Sequence, residues 1–354
     1  MTPSGWRRGV AGIERLSSTG LDVGEFRTSS LRQLRTLLSV DAAFFATVDP
    51  ATLLFTSALA EEPLAAATPE FLDNEFGGHD VNRFAELAGS DEPVRSLDQA
   101  TSGHRSSSDR YQAILAPRGL GDELRMALVS AGRCWGVLCL HREDGVQGFA
   151  PDEIALLASL APHLAEGLRR GVALYPVSPD QSTLNGPGII VLEADLSVAS
   201  VNARARHWLG ELAETDWSSH AELPLSIYAA AAQALGQDPE RLTEPAPTRL
   251  RRTRGGWITL HASALRGAKG SQVAVILDAA DASQLGSLAL AAHGLTPAQT
   301  RVAALVLQGR STRSIVAELH ITSNTMQEHL RAVFDQFGVG SRRELIAALS
   351  GRPH

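Results

Sequence analysis

The residues with the clearest chemistry lie on a helix predicted near the C-terminus, in the stretch HITSNTMQEHLRAVFDQFGV from His320 to Val339. At about 100° per residue, one side of this helix carries amide, carboxylate and guanidinium groups: Asn324, Gln327, Glu328, Arg331 and Asp335. The opposite side is apolar, with Met326, Leu330, Val333 and Phe337. Arginine pairs with guanine, asparagine and glutamine with adenine, and a carboxylate accepts from cytosine N4. The pattern predicts either a helix that reads base edges or the ordinary solvated face of a small helical bundle.

Capping residues predict four short helices in the block that begins at about Leu295 and has no strand pattern. The predicted N-caps are, in chain order, Thr296, Ser311 or Thr312, Thr322 or Ser323, and Ser341. Gln299 and Glu344 each follow a cap by three residues, which predicts two capping boxes. Glycines predict the ends of the first and third helices, at Gly309 and Gly338. The short link between the second and third helices fits a helix-turn-helix.

The whole block, LTPAQTRVAALVLQGRSTRSIVAELHITSNTMQEHLRAVFDQFGVGSRRELIAAL, resembles the LuxR-type helix-turn-helix. The matching features are the opening LTP, Gly309, Ser311 with Ile315, the group Ile321, Thr322 and Thr325, His329, and the ending FGVGSR. The resemblance implies that the third helix enters a DNA groove and that the fourth often dimerises. It further implies a homodimeric transcription regulator with double-stranded DNA and RNA polymerase as partners.

The resemblance also implies which residues contact DNA. It places Gln327, Glu328 and Arg331 in the groove and Thr312 and Arg313 at phosphates. The full expected set is Thr312, Arg313, Thr322, Ser323, Asn324, Thr325, Gln327, Glu328, Arg331 and Arg342.

This chain departs from the family pattern in the recognition helix. Many members have a basic residue at the position of Gln327 and a small or aliphatic one at Glu328, and Gln299 and Ser314 replace two frequent glutamates. Losing a cation and gaining an anion weakens the attraction to phosphate that does not depend on sequence. We expect affinity to rest more on base contacts and dimerisation.

The acid at 328 supports two hypotheses. Glu328 lies three residues before Arg331, so the two are predicted to pair on the helix. In the first hypothesis Glu328 orients Arg331 and rejects wrong sequences, so valine at this position would raise non-specific affinity and relax base preference. The second assigns a different class of function: a protein-interaction adaptor whose helix-turn-helix has lost strong DNA affinity.

The first predicted domain covers residues 21–172. Strand-like runs AAFFATVD and TLLFTSALA are followed by two β-rich runs around the turn SAGR. The segments ILAPRGLGDELRMALVSAGRCWGVLCLHRE and FAPDEIALLASLAPHLAEGLRR resemble a GAF domain. The closing helix carries an apolar stripe that predicts packing on its own sheet or a dimer seam, with a kink at Pro162. The stripe consists of Ile154, Leu157, Ala161, Leu164 and Leu168.

A Pro/Gly/Ser-rich linker, residues 173–187, precedes the second predicted domain, residues 188–284. A hairpin is predicted to turn at Ala194–Asp195, and three antiparallel strands to turn at Gly255–Gly256 and around Lys269–Gly270. The segment GIIVLEADLSVASVNARARHWL and the late strands that hold Trp257 resemble a PAS domain. Together with a DNA-binding domain at residues 290–350, the chain is predicted to be a multidomain α+β protein. Its antiparallel-sheet GAF-like and PAS-like domains precede an all-α four-helix domain.

Composition fits this organisation. The chain has 354 residues, 44% hydrophobic and 20% charged, which is enough for two or three domains. From Gly294 onward it carries seven arginines against four acidic residues, so the formal charge is +3 there and −10 elsewhere. A basic segment on an acidic body fits a nucleic-acid-binding tail. No apolar run reaches about 18 residues and the N-terminus does not resemble a secretory signal, so a cytoplasmic protein without membrane contact is expected.

Cys134 and Cys139 lie five residues apart in one predicted strand, which places them on opposite faces and argues against a disulfide. Two buried thiols are favoured over a redox sensor.

Catalytic motifs are missing from the sequence. A phospho-receiver needs an acidic cluster with a lysine, and Lys269, the only lysine, is predicted in a turn. The patterns GxxxxGK and HExxH do not occur. His104, near three serines, is more typical of a loop than of a nucleophilic site, and His207 is more typical of a solvated or packed side chain than of a haem ligand. We predict no enzymatic activity, no metal and no cofactor, with an unknown small-molecule effector in the GAF-like or PAS-like domain.

Overall fold

The computed structural model describes residues 3–175, 186–212, 223–237, 246–267 and 270–350. Most of the predicted linker at 173–187 lies outside these ranges, as does Lys269 of one predicted turn. The described part contains two five-stranded antiparallel sheets and a helical C-terminal block. This is the multidomain α+β architecture that the sequence predicts.

The first sheet belongs to the N-terminal body. Its strands are β1 (Ala42–Val48), β2 (Phe55–Ala60), β3 (Val94–Ser96), β4 (Leu120–Ser130) and β5 (Arg133–Glu143), in the order β2-β1-β5-β4-β3. The β4–β5 hairpin turns at Ala131 and Gly132, whose φ angles are 52° and 71°. Two consecutive residues with positive φ match the right-handed twist of the strands on either side.

Helices cover both faces of this sheet. They are α1 (Pro3–Ser18), α2 (Val23–Arg35), α3 (Thr68–Leu72), α4 (Phe84–Ala88), α5 (Leu97–Thr101) and α6 (Pro151–Ala173). Short 3₁₀ and π turns lie between these elements, at 65–67, 73–77, 105–107, 111–115 and 116–118. α1, α2 and α6 share one hydrophobic core with the sheet. α1 was not predicted from the sequence.

The long helix α6 runs unbroken through Pro162. The apolar stripe that allowed either packing or a dimer seam is buried within this chain, against the first sheet and the neighbouring helices. In the structure, the stripe therefore packs α6 on the sheet of its own domain.

The prediction that Cys134 and Cys139 occupy opposite faces is wrong. The register of β4 and β5 shifts between Leu128 and Val129, so one extra residue lies between the two cysteines on β5. Such a bulge reverses the alternation of side chains, and both thiols are buried in the same core. Both are free thiols.

The second sheet repeats the strand order of the first. Its strands are β6 (Gly188–Glu193), β7 (Val198–Val201), β8 (Thr248–Arg251), β9 (Trp257–Gly267) and β10 (Gly270–Ala279), in the order β7-β6-β10-β9-β8. The predicted hairpin turn at Ala194–Asp195 is confirmed. Two helices accompany the sheet, α7 (Ala203–Leu209) and α8 (Leu225–Gly236). The alanine-rich α8 packs between the two sheets in a core that both share. The PAS resemblance of this part stays a prediction.

Five helices complete the described chain: α9 (Ala282–Ala292), α10 (Pro297–Leu307), α11 (Thr312–Leu319), α12 (Ser323–Phe337) and α13 (Arg342–Ser350). α9 was not identified from the sequence, and the predicted boundaries at 284 and 290 both fall inside it. Leu285 and Leu288 of α9 are buried in the core of the N-terminal body, and Leu290 in the core of the C-terminal block. None of the helices in the described ranges is long and apolar enough to cross a membrane.

Candidate DNA-binding surface and sensory cavity

The helix-turn-helix forms through local caps. Thr296, Ser311 and Thr322 are the N-caps of α10, α11 and α12, and each side-chain oxygen accepts from the backbone N–H three residues later. α12 ends at Phe337 and is capped by Gly338, whose φ is 63°. Met326 and Val333 are fully buried, so the apolar side of α12 faces the helical core as predicted. The polar side therefore faces outward.

Most of the predicted DNA-contacting side chains are accessible. Those that are exposed are Arg313, Thr322, Ser323, Asn324, Gln327, Glu328 and Arg331, while Thr312, Thr325 and Arg342 are half-buried. The hydroxyls of Thr322 and Thr325 lie 2.9 Å apart, at the start of α12. Asn324, Gln327, Glu328 and Arg331 share one exposed face of α12, and the contacts of the whole set with DNA stay predictions.

Arg342 already has partners within the protein. Its Nη2 donates to the carbonyls of Val306 and Arg310, just where α10 ends. The preceding Ser341 accepts from the N–H of Glu344, which is one half of the predicted capping box. The carboxylate of Glu344 in turn accepts from the N–H of Gly340 at 2.7 Å. Arg342 therefore fastens α13 to α10.

The predicted pairing of Glu328 with Arg331 is wrong. Glu328 Oε1 instead accepts a hydrogen bond from Asn324 Nδ2 at 2.9 Å. A residue four positions earlier on a helix lies on the same face, one turn below. None of the ion pairs among the described residues joins Glu328 to Arg331. The carboxylate of Glu328 therefore orients the side-chain amide of Asn324, and the guanidinium of Arg331 remains available for other contacts.

A second polar cluster lies on the first sheet, deep in the N-terminal body. Glu123 on β4 pairs with Arg110 (Nε to Oε2, 2.7 Å) and with Arg125 (Nε to Oε1, 3.3 Å), and all three side chains are fully buried. Arg125 also bonds Glu75 at 2.8 Å. Burial alone would raise the pKa of Glu123, but the charges of Arg110 and Arg125 outweigh burial and lower it to about 2. The cluster is a closed, charge-compensated part of the core.

Within this cluster, ligand atoms of Glu123, Cys139 and His141 lie within 4.8 Å of one another, close enough to hold a metal ion. Burial raises the pKa of the Cys139 thiol and lowers the pKa of His141 to about 4. Because two guanidinium groups already neutralise the single carboxylate, the donor set does not fit a divalent cation.

A buried ion pair joins the two sheets to α9. Arg249 on β8 contacts Asp49, the residue after β1, with Nε to Oδ2 at 2.7 Å and Nη2 to Oδ1 at 2.5 Å. Its Nη1 donates to Gln284 O at 3.2 Å and to Ser287 Oγ at 2.8 Å, both on α9. The guanidinium of Arg249, which belongs to the second sheet, thus contacts both the first sheet and α9.

Two further contacts connect α9 with its neighbours. Arg169 on α6 donates to Ala292 O at the end of α9. The ring of His293 stacks on Phe337, the last residue of α12, with centroids 4.0 Å apart and planes at 21°. The C-terminal end of α9 therefore contacts both the candidate recognition helix and the sensory body, by which we mean the two sheets with helices α1 to α8.

A cavity of about 320 Å³ lies beside the Asp49–Arg249 pair. Its walls come from the start of α2, the facing ends of β1 and β2, the strands β8 and β9, and Leu288 of α9. Thr47, Thr56 and Ser57 contribute hydroxyls that bond one another, and Trp135 and Trp257 contribute rings. Residues of both sheets and of α9 meet around this cavity.

One wall of the cavity is a stacked group of Asp22, Tyr175 and Arg251. Arg251 lies 3.6 Å from the ring centroid of Tyr175 and bonds Asp22 at 3.0 Å, and the Tyr175 hydroxyl donates to the same carboxylate. Burial and this hydrogen bond raise the pKa of Tyr175 to about 12. Burial opposes ionisation of Asp22, but the bonds from Tyr175 and Arg251 prevail and lower its pKa to about 2.

Sequence reasoning missed the residues of both interior sites. For the buried cluster a signal existed, because Asp122, Glu123 and Arg125 interrupt an otherwise apolar strand. For the cavity no local signal existed, since its walls come from residues as far apart as Asp22 and Leu288. The two histidines considered for chemistry are exposed: His104 Nδ1 lies 3.1 Å from Ser102 O and His207 Nε2 lies 3.5 Å from Glu211.

Two family models match the chain. Residues 24–168 match the GAF domain, and residues 293–349 match the bacterial regulatory proteins of the luxR family. The chain therefore contains a GAF domain and a LuxR-type helix-turn-helix domain, as the resemblances implied. No curated protein matches the sequence.

Similar solved structures include three bacterial proteins. The GAF domain/HD domain protein from Geobacter sulfurreducens is 17% identical over 44% of this chain and 97% of its own, with a TM-score of 0.31. The VqsR LBD domain from Pseudomonas aeruginosa is 16% identical over 47% and 96%, with a TM-score of 0.31. The VqmA–ligand–DNA complex of Vibrio cholera is 17% identical over 48% and 83%, with a TM-score of 0.23. With TM-scores this low, these likenesses carry no functional argument.

Proposed function

Starting from a GAF domain and a LuxR-type helix-turn-helix in one chain, we propose a sequence-specific transcription regulator whose DNA binding is controlled by its N-terminal sensory body. The observation that carries this proposal is the outward face of α12. Gln327, Glu328 and Arg331 are exposed there while Met326 and Val333 fix the helix in its core. Amide, carboxylate and guanidinium groups on one exposed helix face suit base edges in a major groove.

The position of α9 supports the control step. Its side chains belong to the core of the sensory body and to the core of the DNA-binding domain. A change in the sensory body that moves α9 therefore changes the position of the helix-turn-helix relative to that body. We propose that this is the route of control, with no catalytic step.

We further propose that the protein acts on double-stranded DNA as a homodimer in the cytoplasm and contacts RNA polymerase. The support is the family resemblance of the C-terminal domain. A dimer presents two recognition helices to two half-sites, which offsets the weak electrostatic attraction expected from Glu328.

The test is selection of binding sites by the full-length chain from random duplexes, followed by footprinting. Arg331→Ala should cost about 1–3 kcal/mol and relax preference at one base pair. Arg301→Ala is the matched control, because it removes another exposed arginine of the same domain, from α10. If no sequence is enriched, with or without cell extract, the proposal fails.

A second candidate is a protein-interaction adaptor whose helix-turn-helix has lost strong DNA affinity. The exposed acid at 328 is the observation that favours it. A flat dependence of DNA binding on salt, together with a stable protein partner, would select the adaptor over the regulator.

A further inference from the structure

The interior of the molecule offers a place for an effector that lies between domains. The cavity beside Asp49 and Arg249 is walled by the GAF domain, the second sheet and α9. Its volume of about 320 Å³ is at the lower end of small-molecule sites, which span about 300–1,000 Å³. The cavity therefore has room for a molecule of one or two rings.

The lining of the cavity contains an unmet hydrogen-bond donor. Trp257 is only 6% exposed, and its indole Nε1 is buried without an acceptor among the described residues. A buried N–H without a partner is costly, and a ligand that brings an acceptor removes that cost. Trp135, the other lining tryptophan, already donates to Ser130 O at 3.1 Å. Of the two lining tryptophans, Trp257 is therefore the one whose indole N–H needs an acceptor from a ligand.

The charges of the lining exclude a cation. Three guanidinium groups, of Arg27, Arg249 and Arg251, face two carboxylates, of Asp22 and Asp49. Both carboxylates are held by arginines at 2.5–3.0 Å, so neither is available to a bound ammonium. The excess positive charge favours a neutral or singly negative ligand.

We propose that this interdomain cavity is the effector site and that it takes a small ring compound that carries a hydrogen-bond acceptor and no positive charge. The rings pack against Trp135, Trp257 and Leu288, and the acceptor takes the indole N–H of Trp257. The effector then binds between the domains, where the family matches predict no particular site.

Occupancy of this cavity bears directly on α9. Leu288 is a lining residue, and Arg249, a neighbour in the lining, bonds Gln284 and Ser287 of the same helix. A ligand that pushes on Leu288 or shifts Arg249 moves the helix whose other side is shared with the DNA-binding domain. This regulatory step rests on the proposed function, whereas binding of the ligand does not.

The binding test uses the full-length protein, without DNA, in isothermal titration calorimetry. Three probes share one skeleton and differ in charge: 2-naphthoate, 2-naphthamide and 2-naphthylmethylammonium. The first two should bind with a dissociation constant of about 1 mM, which corresponds to about 0.3 kcal/mol per non-hydrogen atom of the probe. The ammonium should bind at least about tenfold more weakly.

Variants locate the binding. Trp257→Phe keeps an aromatic ring and removes the donor, so affinity for naphthamide should fall about tenfold. Trp208→Phe is the matched control, because Trp208 is also buried with an indole N–H that has no acceptor among the described residues, but does not line the cavity. Ser57→Phe should fill the cavity and abolish binding. Thr253→Trp, at an exposed lining position, should do the same if Ser57→Phe does not fold.

Three results would overturn the proposal: no heat from naphthoate or naphthamide, equal or tighter binding of the ammonium, or unchanged binding in Trp257→Phe and the filled variants. A DNA-binding assay on the selected site, with and without naphthamide, is the second arm. Absence of DNA binding both with and without naphthamide, while the probe still binds, would reject the proposed function and leave the site intact. DNA binding without probe binding would reject only the site.

Discussion

Arg249 and Asp49 form an ion pair between the two sheets, with Arg249 Nε 2.7 Å from Asp49 Oδ2 and both side chains almost completely buried. The backbone N–H of Arg249 donates to the same carboxylate at 2.8 Å. The pair thus fixes the second sheet to the GAF domain, and through Ser287 it fixes α9 as well.

Replacing Arg249 with methionine should destabilise the protein by about 3–5 kcal/mol, because Asp49 is left charged and buried without its partner. The free energy of unfolding, measured by urea denaturation, checks this. Arg266→Met is the control, since Arg266 is exposed on β9 and its loss should cost less than about 0.5 kcal/mol. Equal small losses in both variants would contradict the importance of the pair.

Acid should destabilise the GAF domain in two steps. Burial lowers the pKa of His141 from 6.5 to about 4, and the neighbouring arginines lower that of Glu123 from 4.5 to about 2. In both cases the unfolded chain binds the proton more readily, so stability falls as the pH falls. The loss should run from about pH 6.5 to 4 through His141 and from about 4.5 to 2 through Glu123.

The variant His141→Gln separates these two steps. It should flatten the upper part of the profile, where one group contributes at most about 1.4 kcal/mol per pH unit. The exposed His104 supplies the control variant His104→Gln, which should leave the profile unchanged. Urea midpoints recorded from pH 7 to pH 3 provide the measurement. A profile that stays the same in His141→Gln would show that this imidazole is not buried in the neutral form.

Glu328→Gln and Glu328→Val should behave differently. Glutamine removes the charge and keeps an acceptor for Asn324 Nδ2, whereas valine removes both. Each should raise non-specific DNA affinity about threefold at low salt, since one surface charge near phosphate is worth about 0.5–1 kcal/mol. Only valine should also alter base preference, because Asn324 then loses its hydrogen bond. Filter binding to random and selected duplexes measures both effects.

Asp335→Asn is the matched control for Glu328, because Asp335 is exposed on the same face of α12 two turns later. It removes the same charge without touching Asn324. If valine at 328 leaves base preference intact, the hydrogen bond to Asn324 has no part in selectivity.

Phe337→Leu should loosen the contact between α9 and the recognition helix. Leucine keeps an apolar side chain but loses the stacked ring of His293, worth about 0.5–1.5 kcal/mol beyond burial. Hydrogen exchange should quicken in the C-terminal turns of α12 and α9 and stay unchanged in α8. Equal rates in variant and parent would argue against coupling through this ring pair.

Much of the C-terminal domain could be predicted because its signals are local. A threonine that accepts from an N–H three residues later and a glycine with positive φ act within one helical turn. The sides of α12 follow from helical periodicity alone. The same holds for the β4–β5 hairpin, whose turn residues lie beside the strands that they join. The sequence by itself therefore determined the helix-turn-helix and which side of α12 faces outward.

Other features were decided by contacts between distant segments. The bulge beside Cys134 depends on the register of β5 with β4. The side-chain geometry on α12 pairs Glu328 with Asn324 instead of Arg331. α9 does begin with a local signal, the capping box of Asp281 and Gln284, but it owes its place between the domains to two cores. Asp49 and Arg249 are 200 residues apart, and the cavity beside them exists only where both sheets meet. Only the tertiary structure decided how the sensory body reaches the DNA-binding domain, because burial and charge pairing across that distance leave no periodic trace in the chain.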